Sequence, residues 1–136
     1  MSVLIRDRNT VRKAGEYASY PVGAGVKVYA GSMVCIGADG YAVPGADTAG
    51  LKFVGVARAY ADNTAGAAGA LSVEVWRRGS FELSASGMAA GNVGDSVCVV
   101  DDQTVALTAG TTNHIPCGRV SEFNSAASVY VDIERF

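Results

Sequence analysis

The residues of this sequence that could do covalent chemistry are one histidine and three cysteines. His114 and Cys117 share the segment TTNHIPCG, and a histidine beside a cysteine can generate a thiolate nucleophile. On a strand, however, these two positions point to opposite faces, and Pro116 between them favours a turn or a sheet edge. The pattern therefore predicts an exposed loop histidine rather than a catalytic dyad.

Metal and nucleotide sites need ligand or glycine spacings that this sequence lacks. The cysteines form no C-x-x-C pair, and no zinc-finger or zinc-ribbon spacing occurs. Turn chemistry explains the adjacent Asp101 and Asp102 without a cation. The segments GAGVKV and GAAGA lack the spacing of a dinucleotide loop, and neither G-x-x-x-x-G-K-[ST] nor G-x-S-x-G is present. We therefore predict that the protein is not an enzyme and has no cofactor and no metal site.

Cys35 and Cys98 lie within the apolar runs VCI and VCV. A thiol in such a run behaves as a small hydrophobic group, so we expect both cysteines to be reduced and buried. The first residues, MSVLIRDRNT, contain too short an apolar run for a signal peptide, and no segment reaches membrane-spanning length. We expect synthesis in a cytoplasm and no membrane partner.

The charge of the chain is small but unevenly distributed. The formal net charge is -2 at pH 7, whereas residues 1–20, the predicted N-terminal arm, carry four basic side chains against two acidic ones. The basic residues of the arm are Arg6, Arg8, Arg12 and Lys13. Such an arm is compatible with docking on another subunit and with an ordinary frayed terminus. Since the rest of the chain is acidic, no cationic groove for nucleic acid is predicted.

Frequent turn residues and short alternating runs predict an all-β fold, a compact sandwich or barrel of antiparallel strands over residues 21–136, formed as a single domain. GADG after Ile36 and DDQ after Val100 are typical of hairpin turns. The predicted strands are Lys27–Tyr29, Met33–Ile36, Tyr41–Val43, Phe53–Tyr60, Leu71–Arg77, Ser80–Ser84, Ser96–Val100, Thr104–Thr108, Ile115–Glu122 and Ser128–Glu134.

The chain contains an internal repeat. A shift of 63 positions places GSMVCI, which begins at Gly31, on GDSVCV, which begins at Gly94. Removing about seven residues around TAGAAGA then brings SVEV, from Ser72, onto SVYV, from Ser128. The pattern predicts two similar half-sheets that pack together as one unit.

The stretch LSVEVWRRGSFEL, residues 71–83, places the only tryptophan on a polar face. Alternation puts Val73 and Val75 on one side of a strand, with Phe81 and Leu83 continuing that side, and leaves Trp76 on the other. Two interpretations are open. Trp76 lies in an interface with another subunit, or a bulge near Arg78 reverses the alternation and returns the tryptophan to the core.

Several segments together resemble the small capsid decoration, or cement, proteins of tailed bacteriophages. The segments that carry the resemblance are AGSMVCIGADGYAVPGADTAGLKFVGVARAY, LSVEVWRRGSFEL, AGNVGDSVCVVDDQTVALT, IPCGRVSEF and ASVYVDIERF. The resemblance implies a β-rich fold without catalysis and many copies on the outer surface of a phage head, after synthesis in the cytoplasm of the bacterial host. It also implies the major capsid protein as partner and neighbouring copies arranged as a homotrimer. A tail-tube or head-completion protein is the alternative.

On this hypothesis a small set of side chains forms the capsid or subunit interface. Its predicted members are Arg6, Arg8, Arg12, Lys13, Trp76, Arg78 and Tyr130. Tyr130 is included because the repeat places it on the face that corresponds to that of Trp76.

Overall fold

The computed structural model describes residues 2–133, which form antiparallel β-strands joined by turns and loops. The strands are β1 (Tyr17–Pro21), β2 (Lys27–Val28), β3 (Met33–Ile36), β4 (Ala42–Pro44), β5 (Lys52–Ala57), β6 (Ala61–Asp62), β7 (Ser72–Trp76), β8 (Ser80–Ser84), β9 (Ser96–Val99), β10 (Val105–Leu107), β11 (Pro116–Ser125) and β12 (Ser128–Ile133). Two short 3-10 turns lie at Ala90–Asn92 and Thr108–Gly110. This range contains no helix long and apolar enough to cross a membrane.

Two five-stranded sheets form a sandwich, and a two-stranded sheet lies beside them. The first sheet has the order β4-β3-β5-β7-β1, the second has the order β10-β9-β11-β12-β8, and β2 pairs with β6. The predicted GADG and DDQ turns are the β3–β4 and β9–β10 hairpins. The all-β fold class is therefore confirmed, and between residues 2 and 133 no sheet closes into a barrel.

The two large sheets repeat one plan, as the sequence repeat predicts. A shift of 63 positions carries β3 onto β9, β4 onto β10 and β1 onto β8, and the strand orders of the two sheets correspond. The register is kept as well. Val34 lies opposite Gly55 in the first sheet, and Val97 lies opposite Gly118 in the second. Each of these glycines also marks a register shift in its sheet.

The buried apolar residues of the two large sheets form two hydrophobic clusters. The first cluster includes Met33, Cys35, Phe53 and Val56 from the first sheet and Val97, Val99, Val129 and Val131 from the second, so it fills the space between them. The second cluster joins the other face of the first sheet to the small sheet, through Val28, Val34, Ala57, Ala61, Val73 and Val75. The first sheet is therefore buried on both faces.

Equivalent faces of the two sheets point in the same direction. Val34 and Val97 are equivalent in the repeat, yet Val34 belongs to the second cluster and Val97 to the first. The same holds for Val75 and its equivalent Val131. The sheets are thus stacked in the same sense, and the outer face of the second sheet corresponds to the inner face of the first.

The predicted boundary of the N-terminal arm is wrong. Tyr17–Pro21 is an edge strand of the first sheet that pairs with β7 from Tyr17 opposite Trp76 to Pro21 opposite Ser72. The arm without regular structure therefore ends at residue 16. At the other end of the chain, Glu134, the last residue of a predicted strand, lies outside the described residues.

The prediction that residues 71–83 share one apolar side is also wrong for the stretch as a whole. Alternation holds within β7 and within β8, but the chain passes from the first sheet to the second between them. Val75 is buried in the second cluster, whereas Leu83 is buried in the first. Gly79, with a φ of 122°, lies in this crossing, and a φ in that range favours glycine.

Candidate functional site

Trp76 lies at the edge of the face by which the first sheet meets the second. Its register partners are Tyr17 on β1 and Val56 on β5, and Val56 belongs to the cluster between the sheets. Glu74 is exposed on the same face. The alternation predicted for β7 is therefore confirmed, and no bulge returns Trp76 to the opposite face.

Trp76 forms an arginine cluster with Tyr17, Arg58 and Glu74. The guanidinium of Arg58 lies 4.4 Å from the centre of the Trp76 ring and 4.2 Å from that of Tyr17. The two rings meet edge to face, with centroids 6.0 Å apart. Arg58 also donates to Glu74 at 3.1 Å, in a pair whose side chains are 30% and 49% exposed. A single arginine thus holds two aromatic rings and a carboxylate together.

The sheet order explains why these four side chains meet. β1, β7 and β5 are neighbours, and the backbone N–H of Arg58, just after β5, donates to the carbonyl of Glu74. Cross-strand neighbours on one face lie about 5 Å apart, so aromatic rings there stack readily. At the edge of the face that meets the second sheet, an arginine and a tyrosine of the same chain therefore lie against the half-buried tryptophan.

The remaining predicted interface residues are not brought to this cluster. Residues 2–13, which include Arg6, Arg8 and Arg12, are exposed and have no regular structure. Lys13 lines a groove of about 360 Å³ between the end of the arm, β1 and Glu74. Arg78 is exposed.

Tyr130 lies on the second sheet. Its register partners are Glu82 and Glu122, on the two strands that flank β12. The repeat places Tyr130 on the face equivalent to that of Trp76, as predicted. Because the sheets stack in the same sense, this is the outer face of the second sheet, and the two aromatic residues belong to different surfaces.

Sequence reasoning missed a second exposed aromatic group, the tyrosine patch formed by Tyr29 and Tyr60. Their rings lie 5.7 Å apart, and the side chains are 57% and 52% exposed. The ammonium of Lys27 lies 5.9 Å from the centre of the Tyr29 ring, and the Tyr60 hydroxyl donates to Asp62. The repeat could have indicated this patch, because it aligns Tyr60 with another aromatic residue, Phe123, which is also exposed.

Trp76→Ala is expected to destabilise the protein by about 1–2 kcal/mol, since it removes an edge-to-face aromatic contact and a cation–π contact. Chemical denaturation monitored by far-UV circular dichroism measures the change. Tyr60→Ala, which removes a more exposed aromatic ring, is the matched control and is expected to have a smaller effect. Equal stability of Trp76→Ala and the natural protein would show that the arginine cluster does not stabilise the first sheet.

The structure does not join His114 and Cys117 in a dyad. The exposed His114 ring contacts the Thr108 carbonyl at 2.9 Å and the Thr111 hydroxyl at 3.1 Å through Nδ1. Cys117 is buried, and its thiol lies 3.5 Å from the carbonyl oxygen of Val97. Burial raises the pKa of this thiol well above its usual range, which disfavours the thiolate that nucleophilic chemistry needs.

All three cysteines are free and buried, which confirms the prediction for Cys35 and Cys98. Burial raises the pKa of Cys35 to about 11, in spite of a hydrogen bond with the backbone of Ala46 that acts in the opposite direction. Among residues 2–133, no three or more His, Cys, Asp or Glu side chains are grouped so that they could hold a metal ion.

Asp47 joins the loop after β4 to the loop before β11. Its carboxylate accepts hydrogen bonds from the backbone N–H groups of Thr112 and Asn113, both at 2.8 Å, and the Asn113 side chain donates to its backbone carbonyl. The bond from Thr112, followed by that from Asn113, lowers the pKa of Asp47 from 3.8. The folded state therefore favours the ionised carboxylate.

This lowered pKa predicts an acid-dependent loss of stability. The contribution of Asp47 is fully present above its unfolded pKa and disappears as the pH falls through its lower folded pKa. We expect Asp47→Asn to reduce the free energy of unfolding at pH 7 and to reduce the further loss between pH 5 and pH 3, as measured by urea denaturation at each pH. Asp39→Asn, in an exposed turn, is the control. A loss on acidification as large in Asp47→Asn as in the natural protein would contradict the assignment.

Comparisons of the chain with protein-family models, with curated proteins and with solved structures found no match.

Proposed function

We propose that this chain is a structural protein of a phage particle, a decoration protein that binds the outer surface of the capsid and stabilises the head. The sequence resemblance to capsid decoration proteins supports the proposal. The single observation that carries it is the N-terminal arm, whose apolar side chains are largely exposed in the part of the chain that the structure describes.

The arm exposes a contiguous apolar segment beside arginines. Val3, Leu4 and Ile5 are 86%, 71% and 93% exposed, and Arg6 follows immediately. An exposed apolar segment of this kind marks a surface that another molecule covers. The arm is therefore suited to dock on a partner, whereas the two stacked sheets provide a compact body that holds the arm at its base.

A decoration protein stabilises a shell by burying surface across the joints between shell subunits. Each copy contributes several kcal/mol of binding free energy if its affinity is micromolar or better, about 8 kcal/mol at 1 μM. That contribution is repeated over a closed lattice. The partners on this proposal are the major capsid protein and neighbouring copies in a homotrimer, with Trp76, Arg78 and Tyr130 among the contact residues.

The test is quantitative mass spectrometry of density-banded phage particles from the source system. We expect the copy number of this chain to approach that of the major shell protein. A handful of copies per particle would favour a tail or head-completion protein instead. Absence from the particles would overturn the proposal.

The role of the arm is tested by binding to purified shells that lack the protein. We expect Leu4→Ser/Ile5→Ser to weaken binding in a pelleting assay, because two exposed apolar side chains that the shell would cover are lost. Val93→Ser, which changes a half-exposed apolar residue of the body, is the matched control. Equal binding by both variants and the natural protein would show that the arm does not contact the shell.

A further inference from the structure

The first half of the molecule shows how this fold binds an arginine. Arg58 lies over the rings of Tyr17 and Trp76 and pairs with Glu74. The cation is held by aromatic faces and a carboxylate on one face of a sheet, an arrangement in which cation–π attraction and charge pairing act together.

The second half has an aromatic ring and carboxylates on the corresponding face, but a serine where the first half has Arg58; Arg119, on this face too, lies opposite Asp132. The equivalent of Glu74 is Tyr130, and the equivalent of Arg58 is Ser121, whose hydroxyl donates to the Tyr130 carbonyl. Glu82 and Glu122 lie on either side of Tyr130 in register, so we call these three residues the acidic row. Within the described range, the structure gives neither glutamate an ion-pair partner.

The exposed arm has the complementary charge. Its sequence VLIRDRN places Arg6 and Arg8 two positions apart, so that in an extended segment they point to the same side, about 7 Å from each other. Glu82 and Glu122 lie on the strands that flank β12, about 10 Å apart across the sheet. Two long arginine side chains can therefore reach the two carboxylates on either side of Tyr130.

We propose that the arm of a second copy of this chain docks on the outer face of the second sheet, with Arg6 and Arg8 bound to the acidic row. One guanidinium stacks on the Tyr130 ring, and the pair neutralises Glu82 and Glu122. A second copy is the occupant because the arm in the folded chain is exposed and does not cover its own acidic row. The inference deepens the proposed function and rests on it in one respect, that the arm is a docking element.

Sedimentation equilibrium of the full chain, without shells, tests this contact at about 0.05 M and 0.5 M NaCl. We expect reversible self-association that weakens at the higher salt concentration. Arg6→Gln/Arg8→Gln and Glu82→Gln/Glu122→Gln are each expected to raise the dissociation constant about tenfold or more. Asp39→Asn/Asp101→Asn removes two negative charges from exposed turns and is the matched control, expected to associate like the natural protein.

Charge reversal identifies the contact directly. Arg6→Glu/Arg8→Glu and Glu82→Arg/Glu122→Arg are each expected to lose association alone and to associate with one another when mixed. The proposal is overturned if the natural chain is monomeric at both salt concentrations, if only the arm variant loses association, or if the mixture does not associate. Because no shell is present, these outcomes are independent of the copy number in phage particles, which tests the proposed function.

Discussion

Replacing Gly118 by alanine is expected to destabilise the protein by about 3–5 kcal/mol, and Gly55→Ala is expected to have an effect of similar size. A methyl group on Gly118 would overlap the carbonyl oxygen of Asp132, and one on Gly55 would overlap that of Trp76. Both carbonyls belong to backbone that is fixed by sheet pairing, so neither can move without disrupting its strand. The φ values of 156° and 154° add strain for any residue with a side chain.

The measurement is urea denaturation of each variant beside Gly91→Ala. Gly91 has open space where a methyl group would lie and no positive φ, so its substitution is the matched control and is expected to change stability by less than about 0.5 kcal/mol. A loss below about 1 kcal/mol at either of the two repeated glycines would contradict the close approach of the strands described above.

The pair of glycines also explains why the repeat could be found in the sequence. Gly55 and Gly118 occupy the same position in the two sheets, each opposite a valine of the preceding hairpin. The steric requirement is the same in both halves, and so is the residue that satisfies it. The hairpin valines are repeated for a similar reason: Val34 and Val97 are both fully buried, so each position needs an apolar side chain.

Most of the strands could be predicted because they are short alternating segments between turn residues. β3 and β8 agree residue for residue with the prediction. β1 is not among the predicted strands because YASYP shows no clear alternation of apolar and polar residues, and its partner β7 lies far along the chain. The repeat contained the missing information, since shifting β8 back by 63 positions gives Tyr17–Pro21.

The candidate site could be predicted only in part. The position of Trp76 on the face of β7 opposite Val73 and Val75 follows from alternation, which is a local property. The contact with Arg58 could not be predicted, because it requires β1, β7 and β5 to be neighbours, and strand order is not a local property. For the same reason, the sequence does not predict that the chain passes from the first sheet to the second between β7 and β8, because the apolar alternation continues through both strands.

Asn63 fixes the long loop between β6 and β7 to the start of the body. The residue is 2% exposed, and its side-chain amide donates to the carbonyl oxygens of Val22, Gly23 and Ala67 at 3.3, 2.9 and 2.9 Å. Each of these carbonyls also accepts a hydrogen bond from a backbone N–H group, those of Gly69, Val26 and Ala70 respectively, so the Asn63 amide adds a second donor at each of them. The loop itself offers few apolar contacts, because residues 64–70 are mostly exposed.

Asn63→Ala is expected to lower the free energy of unfolding by about 2–3 kcal/mol, because three hydrogen bonds of a buried side chain are lost and each contributes about 1 kcal/mol. Asn63→Asp keeps the shape but turns a carboxylate oxygen toward the same carbonyls, so at pH 7 it is expected to destabilise the protein at least as much. Urea denaturation measures both, with Asn124→Ala as the matched control. Asn124 is exposed and donates to a single side chain, Ser128, so its loss is expected to change stability by less than about 0.5 kcal/mol. Equal stability of Asn63→Ala and Asn124→Ala would show that other contacts hold the loop, whereas the expected difference would establish Asn63 as the residue that orders it.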